Sequence, residues 1–128
     1  MRFALILLAV GFFAGCASGP HRDEQIRQSY RTGMTRDEAH TLLGPAGLLS
    51  SVSRPASGWS STDDSNHQSS RAAFHYEREH RDSTVAACEV YWVGRHTSAP
   101  LVAGGVWWDY LFFDSHDRLL GYHRRFLD

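Results

Sequence analysis

The sequence contains no lysine, and its 13 basic residues are balanced by 14 acidic ones, for a net charge of −1 at pH 7. The arginines form no basic patch, so nucleic-acid binding has no electrostatic basis. Cysteine is scarce as well, and Cys16 and Cys88 permit at most one disulfide. No apolar run reaches the roughly 20 residues that a transmembrane helix requires. The chain of 128 residues is long enough for one small folded domain.

The longest apolar run lies at the beginning of the chain and has the features of a secretory signal peptide. Arg2 supplies a positive charge, residues 3–13 are apolar apart from Gly11, and the small residues Ala14 and Gly15 follow. A charged start, a short apolar core and small residues before the cleavage site are typical of such peptides. Residues 1–15 are therefore predicted to be removed.

The residues Phe13-Ala14-Gly15-Cys16 resemble the lipobox of bacterial lipoproteins, with Phe13 in the place of the usual leucine. The resemblance implies cleavage between Gly15 and Cys16. It also implies that fatty acyl chains, palmitate among them, are attached to Cys16. The only cofactor expected is this covalent lipid. The alternative is an ordinary signal peptide followed by a chance cysteine. Because Ala17 rather than aspartate follows Cys16, the resemblance implies the outer membrane of a Gram-negative host, with the protein facing the periplasm.

Residues 16–22 are predicted to be a tether, and residues 23–128 a single α+β domain. A first helix is expected over residues 23–31. The second has a better-defined start, since Thr35 and Glu38 form a capping-box pattern, and Gly44-Pro45 ends it.

Two segments of the chain resemble the SmpA/OmlA family of outer-membrane lipoproteins, which includes a subunit of the β-barrel assembly machinery. Residues 33–39 (Gly-Met-Thr-Arg-Asp-Glu-Ala) and 42–45 (Leu-Leu-Gly-Pro) resemble the start and end of the family's helix motif, with Pro45 one place early. Residues 111–114 and 117–119 resemble its closing strand, turn and strand. Residues 17–23 lack the tyrosine and the Gln-Gly pair of the core assembly subunit. The resemblance therefore implies a relative of that subunit rather than the subunit itself.

Serine dominates the segment between the helices and the second half of the chain. Nine of the 21 residues from 50 to 70 are serine, a composition that cannot bury enough apolar surface to order itself. We expect a flexible loop over about residues 50–70. Trp59 is either an anchor onto the domain or an exposed contact residue.

Alternating apolar and polar residues predict an antiparallel sheet in the second half. Strands are expected over residues 71–80, 84–93, 106–113 and 118–126. The predicted fold is thus two short helices packed on one face of a three- to four-stranded antiparallel sheet.

Residues with catalytic or ligating potential are scattered. The eight histidines show no metal-binding spacing, and Cys88 is expected to be a buried apolar residue. Glu77 and Glu79 could form a carboxylate pair, but the solvated side of a one-sided sheet is the simpler explanation. We expect no metal site and no enzymatic activity. A hydrolase would need two titratable groups converging in a cleft.

The aromatic third strand suggests where a partner protein could bind. Trp107, Leu111 and Phe113 alternate with Trp108, Tyr110 and Phe112, so one face could be left open as an apolar patch. The predicted partner surface comprises Trp107, Tyr110, Leu111, Phe113 and Trp59, unless the serine-rich loop or the C-terminus covers it. The expected function is protein–protein interaction in outer-membrane protein assembly or envelope integrity. The alternative is an inhibitor or small-ligand-binding module with a pocket lined by Trp92, Trp107 and Tyr122.

Overall fold

A computed structural model describes residues 26–62, 68–95 and 106–127. A helix was predicted over residues 23–31, and the structure shows one at residues 26–29. Residues 23–25 lie outside the described part of the chain. The signal peptide, the lipobox and the tether also lie outside it. The elements in order are α1 (Arg36–Leu43), a 3₁₀ turn (Pro45–Gly47), β1 (Leu48–Ser53), α2 (Ser69–Glu79), β2 (Ala87–Arg95), β3 (Val106–Phe113) and β4 (Leu119–Leu127).

Helix α1 begins at the capping box that the sequence predicted. The Thr35 hydroxyl accepts a hydrogen bond from the Glu38 backbone N–H at 3.1 Å, and the Glu38 carboxylate accepts one from the Thr35 N–H at 3.0 Å. At the other end, Gly44 has a φ of 75°, which favours glycine. The prediction of this helix is confirmed, and it could be made from the sequence because both signals are local.

The four strands form one antiparallel sheet in the order β1-β2-β3-β4. The α+β class, the antiparallel sheet and strands β2, β3 and β4 are confirmed. The turn between β3 and β4 is closed by Asp114, whose carboxylate accepts hydrogen bonds from the backbone N–H groups of His116 and Arg118. This arrangement explains why a polar run of four residues interrupts two apolar strands.

Both faces of the sheet carry a core, because successive side chains of β2 and β3 point to opposite sides. We call the first face the α1 face; it buries Leu111 and Phe113 against Ala39 of α1, and Tyr30 also packs there. The opposite α2 face buries a second cluster of side chains, which includes Ala73 of α2. Ala39 of α1 and Tyr30 therefore lie on one face of the sheet, whereas α2, a helix that was not expected, covers the other.

The prediction of a strand over residues 71–80 is wrong, since these residues belong to α2. The alternation of Ala72, Phe74 and Tyr76 suggested a strand, yet the most deeply buried apolar residue of the segment is Ala73. A small residue at this position lets the helix approach the sheet closely. The apolar residues around it pack against the cluster at helical spacing.

The loop predicted over residues 50–70 is shorter in the structure, because residues 50–53 belong to β1 and residues 69–70 to α2, whereas residues 54–62 form no helix or strand. Residues up to Ser53 belong to β1, which pairs with β2 from Leu48 to Ser53. Trp59 is only 7% exposed, and its indole N–H donates to the Val85 carbonyl oxygen at 2.8 Å. Backbone pairing does not depend on side-chain polarity, and the buried indole of Trp59 attaches the chain at this residue to Val85.

Candidate binding groove and buried carboxylates

A groove lies between α2 and β4, because among the described residues α2 packs mainly over β1, β2 and β3. The groove has a volume of about 470 Å³. Its polar lining residues are Gln68, Arg71, His75, Glu79, His80, His123 and Arg125. Its apolar and aromatic lining residues are Ala72, Tyr76, Tyr110, Phe112 and Tyr122.

The lining of the groove follows directly from the helical repeat of α2. Arg71, His75 and Glu79 lie four residues apart, and Ala72, Tyr76 and His80 form the adjacent row. Residues at this spacing stack along one side of a helix. A strand over the same residues would have placed His75 and His80 on opposite faces, which is why the sequence pattern did not reveal the groove.

The aromatic floor of the groove depends on a glycine in β4. The ring of Tyr76 stacks on Phe112 at 4.4 Å between centroids and on His80 at 4.2 Å. A Cβ atom at Gly121 would lie 2.7 Å from the Tyr76 hydroxyl oxygen. Burial raises the pKa of Tyr76, so this hydroxyl stays protonated and neutral at physiological pH.

Positive charge predominates among the ionisable groups of the groove. Arg71 and Arg125 are permanently charged, whereas Glu79 is the single carboxylate among the described residues of the lining. The guanidinium of Arg125 donates a hydrogen bond to the Gln68 side-chain oxygen. Gln68 itself has a φ of 61° at the residue before α2. The arrangement is suited to an anionic ligand with an apolar portion.

Two carboxylates are buried on the α1 face, and the sequence analysis missed both of them. Glu89 is 1% exposed, and both of its oxygens lie within 2.9 Å of His40 Nε2. The Tyr91 hydroxyl donates to Glu89 at 3.0 Å. Arg36 Nε lies 3.3 Å away as an ion pair, without the alignment of a hydrogen bond. Each oxygen therefore faces a donor or a positive charge.

Asp109 is fully buried and is held by a forked ion pair. Arg124 Nε and Nη2 donate to its two oxygens at 2.7 and 2.9 Å, and the Tyr30 hydroxyl donates at 2.5 Å. Burial and the Asp109 charge raise the pKa of Tyr30, and burial and Glu89 raise that of Tyr91. These carboxylates are occupied by partners from their own chain, so their geometry is that of structural ion pairs.

A signal for the two carboxylates was present in the sequence. Glu89 interrupts the apolar run of β2, and Asp109 lies between Trp108 and Tyr110 of β3. A charged residue at an inward position of a strand requires a buried partner. The identity of the partners follows only from the fold, since Tyr30 is 79 residues from Asp109.

The predicted partner surface is not open to solvent. Tyr110, Leu111 and Phe113 are at most 1% exposed, and they lie in both cores rather than on one face. Trp107 is half-buried, with its ring 4.6 Å from that of Phe126. Trp59 is the anchor described above. Of these five residues only Tyr110 reaches the groove.

The remaining candidate residues are separated by the fold. Glu77 accepts a hydrogen bond from the Val85 N–H at 2.9 Å and pairs with Arg54, whereas Glu79 lines the groove. Cys88 is fully buried, as predicted. Of the three residues expected to line a ligand pocket, Tyr122 borders the groove but packs its ring on the α1 face, 4.5 Å from that of Tyr30, and Trp92 is 47% exposed.

Within residues 26–62, 68–95 and 106–127, no three histidine, cysteine or acidic side chains are grouped as a metal site would require. In the same ranges, no helix combines the length and apolar composition needed to span a membrane. Comparisons of the chain with known protein families, with curated proteins and with solved structures find no match. The resemblance to the SmpA/OmlA family therefore stays a prediction.

Proposed function

We propose that this protein is a lipid-anchored lipoprotein of the outer membrane, facing the periplasm, whose α+β domain is a non-catalytic module that binds another envelope protein. Its role would lie in outer-membrane protein assembly or envelope integrity. The proposed location depends on residues 1–15 and Cys16. Two or more acyl chains would make the anchoring stable, at about 0.8 kcal/mol per buried CH₂ group.

The groove between α2 and β4 is the single observation that supports a binding activity. It is a concave surface that combines charged groups with an aromatic floor, as expected of a recognition site. The two buried carboxylates do not favour catalysis, because their oxygens are already bound by arginine, histidine and tyrosine side chains.

Fractionation of host cells tests the proposed location, and partner capture tests the binding. Cys16→Ser should leave the protein out of the outer-membrane fraction, whereas Cys88→Ala, a matched cysteine substitution, should not. After mild detergent extraction, the unmodified protein should co-purify with outer-membrane assembly proteins. An equal amount of the Cys16→Ser variant in the outer-membrane fraction would contradict the anchor.

A small-ligand-binding or inhibitor module is the second candidate function. The volume of about 470 Å³ supports it, since ligand pockets commonly measure about 300 to 1,000 Å³. Native mass spectrometry distinguishes the two. A defined small molecule retained by the protein, without co-purifying envelope proteins, would favour the second candidate.

A further inference from the structure

We propose that the groove binds an extended acidic segment of a partner protein that also carries an aromatic or large aliphatic side chain. This inference rests on the proposed binding function and specifies the chemistry of the partner.

The charge of the lining selects a negatively charged partner. Arg71 and Arg125 lie on opposite walls of the groove, one on α2 and the other on β4. Carboxylates bind arginine through paired N–H donors. Among the described residues of the lining, Glu79 is the one carboxylate, so an acidic segment would meet more attraction than repulsion from them.

The length of the groove favours an extended chain over a compact anion. The lining runs from Gln68 to His80, past both ends of α2, and a helix of 11 residues is about 16 Å long. An extended peptide rises about 3.3 Å per residue, so roughly five residues would fill this length. A compact anion such as phosphate would contact one end only.

The two ends of the groove differ in chemistry. Arg125 contacts Gln68 at the beginning of α2, whereas Gly121 faces Tyr76 two turns later. Helix α2 and strand β4 therefore run in opposite directions, with the arginines at one end and the stacked Tyr76 ring toward the other. Acidic side chains of the partner would lie at the arginine end, and its apolar side chain against Tyr76 and Phe112.

Isothermal titration calorimetry of the full-length protein in mild detergent tests this pairing. The probe is a capped peptide of sequence Gly-Glu-Glu-Phe-Glu-Gly, and the control peptides carry glutamine for glutamate or alanine for phenylalanine. We expect measurable binding of the probe, weakened by salt as charges are screened, and weaker binding of both control peptides. Equal binding of the glutamine peptide, or no binding of the probe, would overturn the proposal.

Variants of the two arginines locate the site. Arg71→Gln combined with Arg125→Gln should weaken probe binding about tenfold. Arg125→Lys keeps the charge but loses the paired donors, so it should weaken binding less than Arg125→Gln without restoring the full affinity. Arg78→Gln is the matched control, because Arg78 is an exposed arginine of α2 that does not line the groove. An equal loss in the Arg78→Gln variant would contradict the assignment.

A second measurement needs no variant and therefore does not depend on correct folding of a mutant. In NMR titrations of the unmodified protein, the probe should shift amide signals of α2 and β4 and leave those of α1 unchanged. Equally strong competition by inorganic phosphate or by anionic lipid vesicles would overturn the peptide assignment. If envelope proteins co-purify with the protein but the probe peptide does not bind in the groove, this inference alone is refuted. If the protein isolated from host membranes binds the probe but carries no acyl chains, the proposed anchor alone is refuted.

Discussion

The buried pair of Asp109 and Arg124 makes a quantitative prediction about stability. Asp109→Asn keeps the shape of the side chain but removes its charge, which leaves the Arg124 guanidinium, 13% exposed, without its carboxylate. Removing one partner of a buried ion pair costs about 3 to 5 kcal/mol. Because small domains are stable by only about 5 to 15 kcal/mol, this variant should lose about a fifth or more of its free energy of unfolding.

Urea unfolding followed by circular dichroism measures this loss. Asp82→Asn is the matched control, because Asp82 lies exposed in the turn after α2, and its substitution should change the free energy of unfolding by less than about 0.5 kcal/mol. The urea dependence of the free energy should be similar in both variants, since the same surface is exposed on unfolding.

A double-mutant cycle separates the ion pair from the general effect of a core substitution. Adding Arg124→Gln to Asp109→Asn should cost much less than the sum of the single variants, because the unpaired buried charge is then gone. Additive losses, or a loss below about 1 kcal/mol for Asp109→Asn, would refute the reasoning that the pair stabilises the α1 face.

Three further predictions concern aromatic residues. Trp59→Ala should cost about 3 to 5 kcal/mol in urea unfolding, whereas Trp92→Ala, at an exposed position, should cost much less. The raised pKa of Tyr30 means that the folded state holds this proton where the unfolded state releases it. The contribution of Tyr30 to the free energy of unfolding is therefore fully present below about pH 10 and decreases as the pH rises further. Tyr30→Phe should make this decrease shallower by up to about 1.4 kcal/mol per pH unit. Gly121→Ala should displace the Tyr76 ring, lower stability by about 1 to 3 kcal/mol and weaken peptide binding. An unchanged stability of Trp59→Ala or of Gly121→Ala would contradict the corresponding contact. An unchanged pH dependence of stability in Tyr30→Phe above about pH 10 would contradict the contact of Tyr30 with Asp109.

Elements with local signals were predictable from the sequence. The Thr35 capping box and Gly44 define both ends of α1, and the aromatic run of β3 predicted its bounds from Val106 to Phe113. These signals act within a few residues, so they do not depend on how the chain is folded elsewhere.

The groove and α2 were not predictable in the same way. Phe74 and Tyr76 fit a strand as well as a helix, and the choice depends on close packing of Ala73 against the sheet. Strand β1 was missed because its serines carry little apolar signal, although its backbone pairs with β2 from Leu48 onward. Contacts between distant parts of the chain decided these elements.

The lipid anchor at Cys16 is the feature on which the proposed location depends. Intact-mass and N-terminal peptide mass spectrometry of the protein from host membranes measures it most directly. We predict a chain that begins at Cys16 and carries fatty acyl groups there. A chain that retains residues 1–15, or that begins at Cys16 without acyl groups, would contradict the proposal.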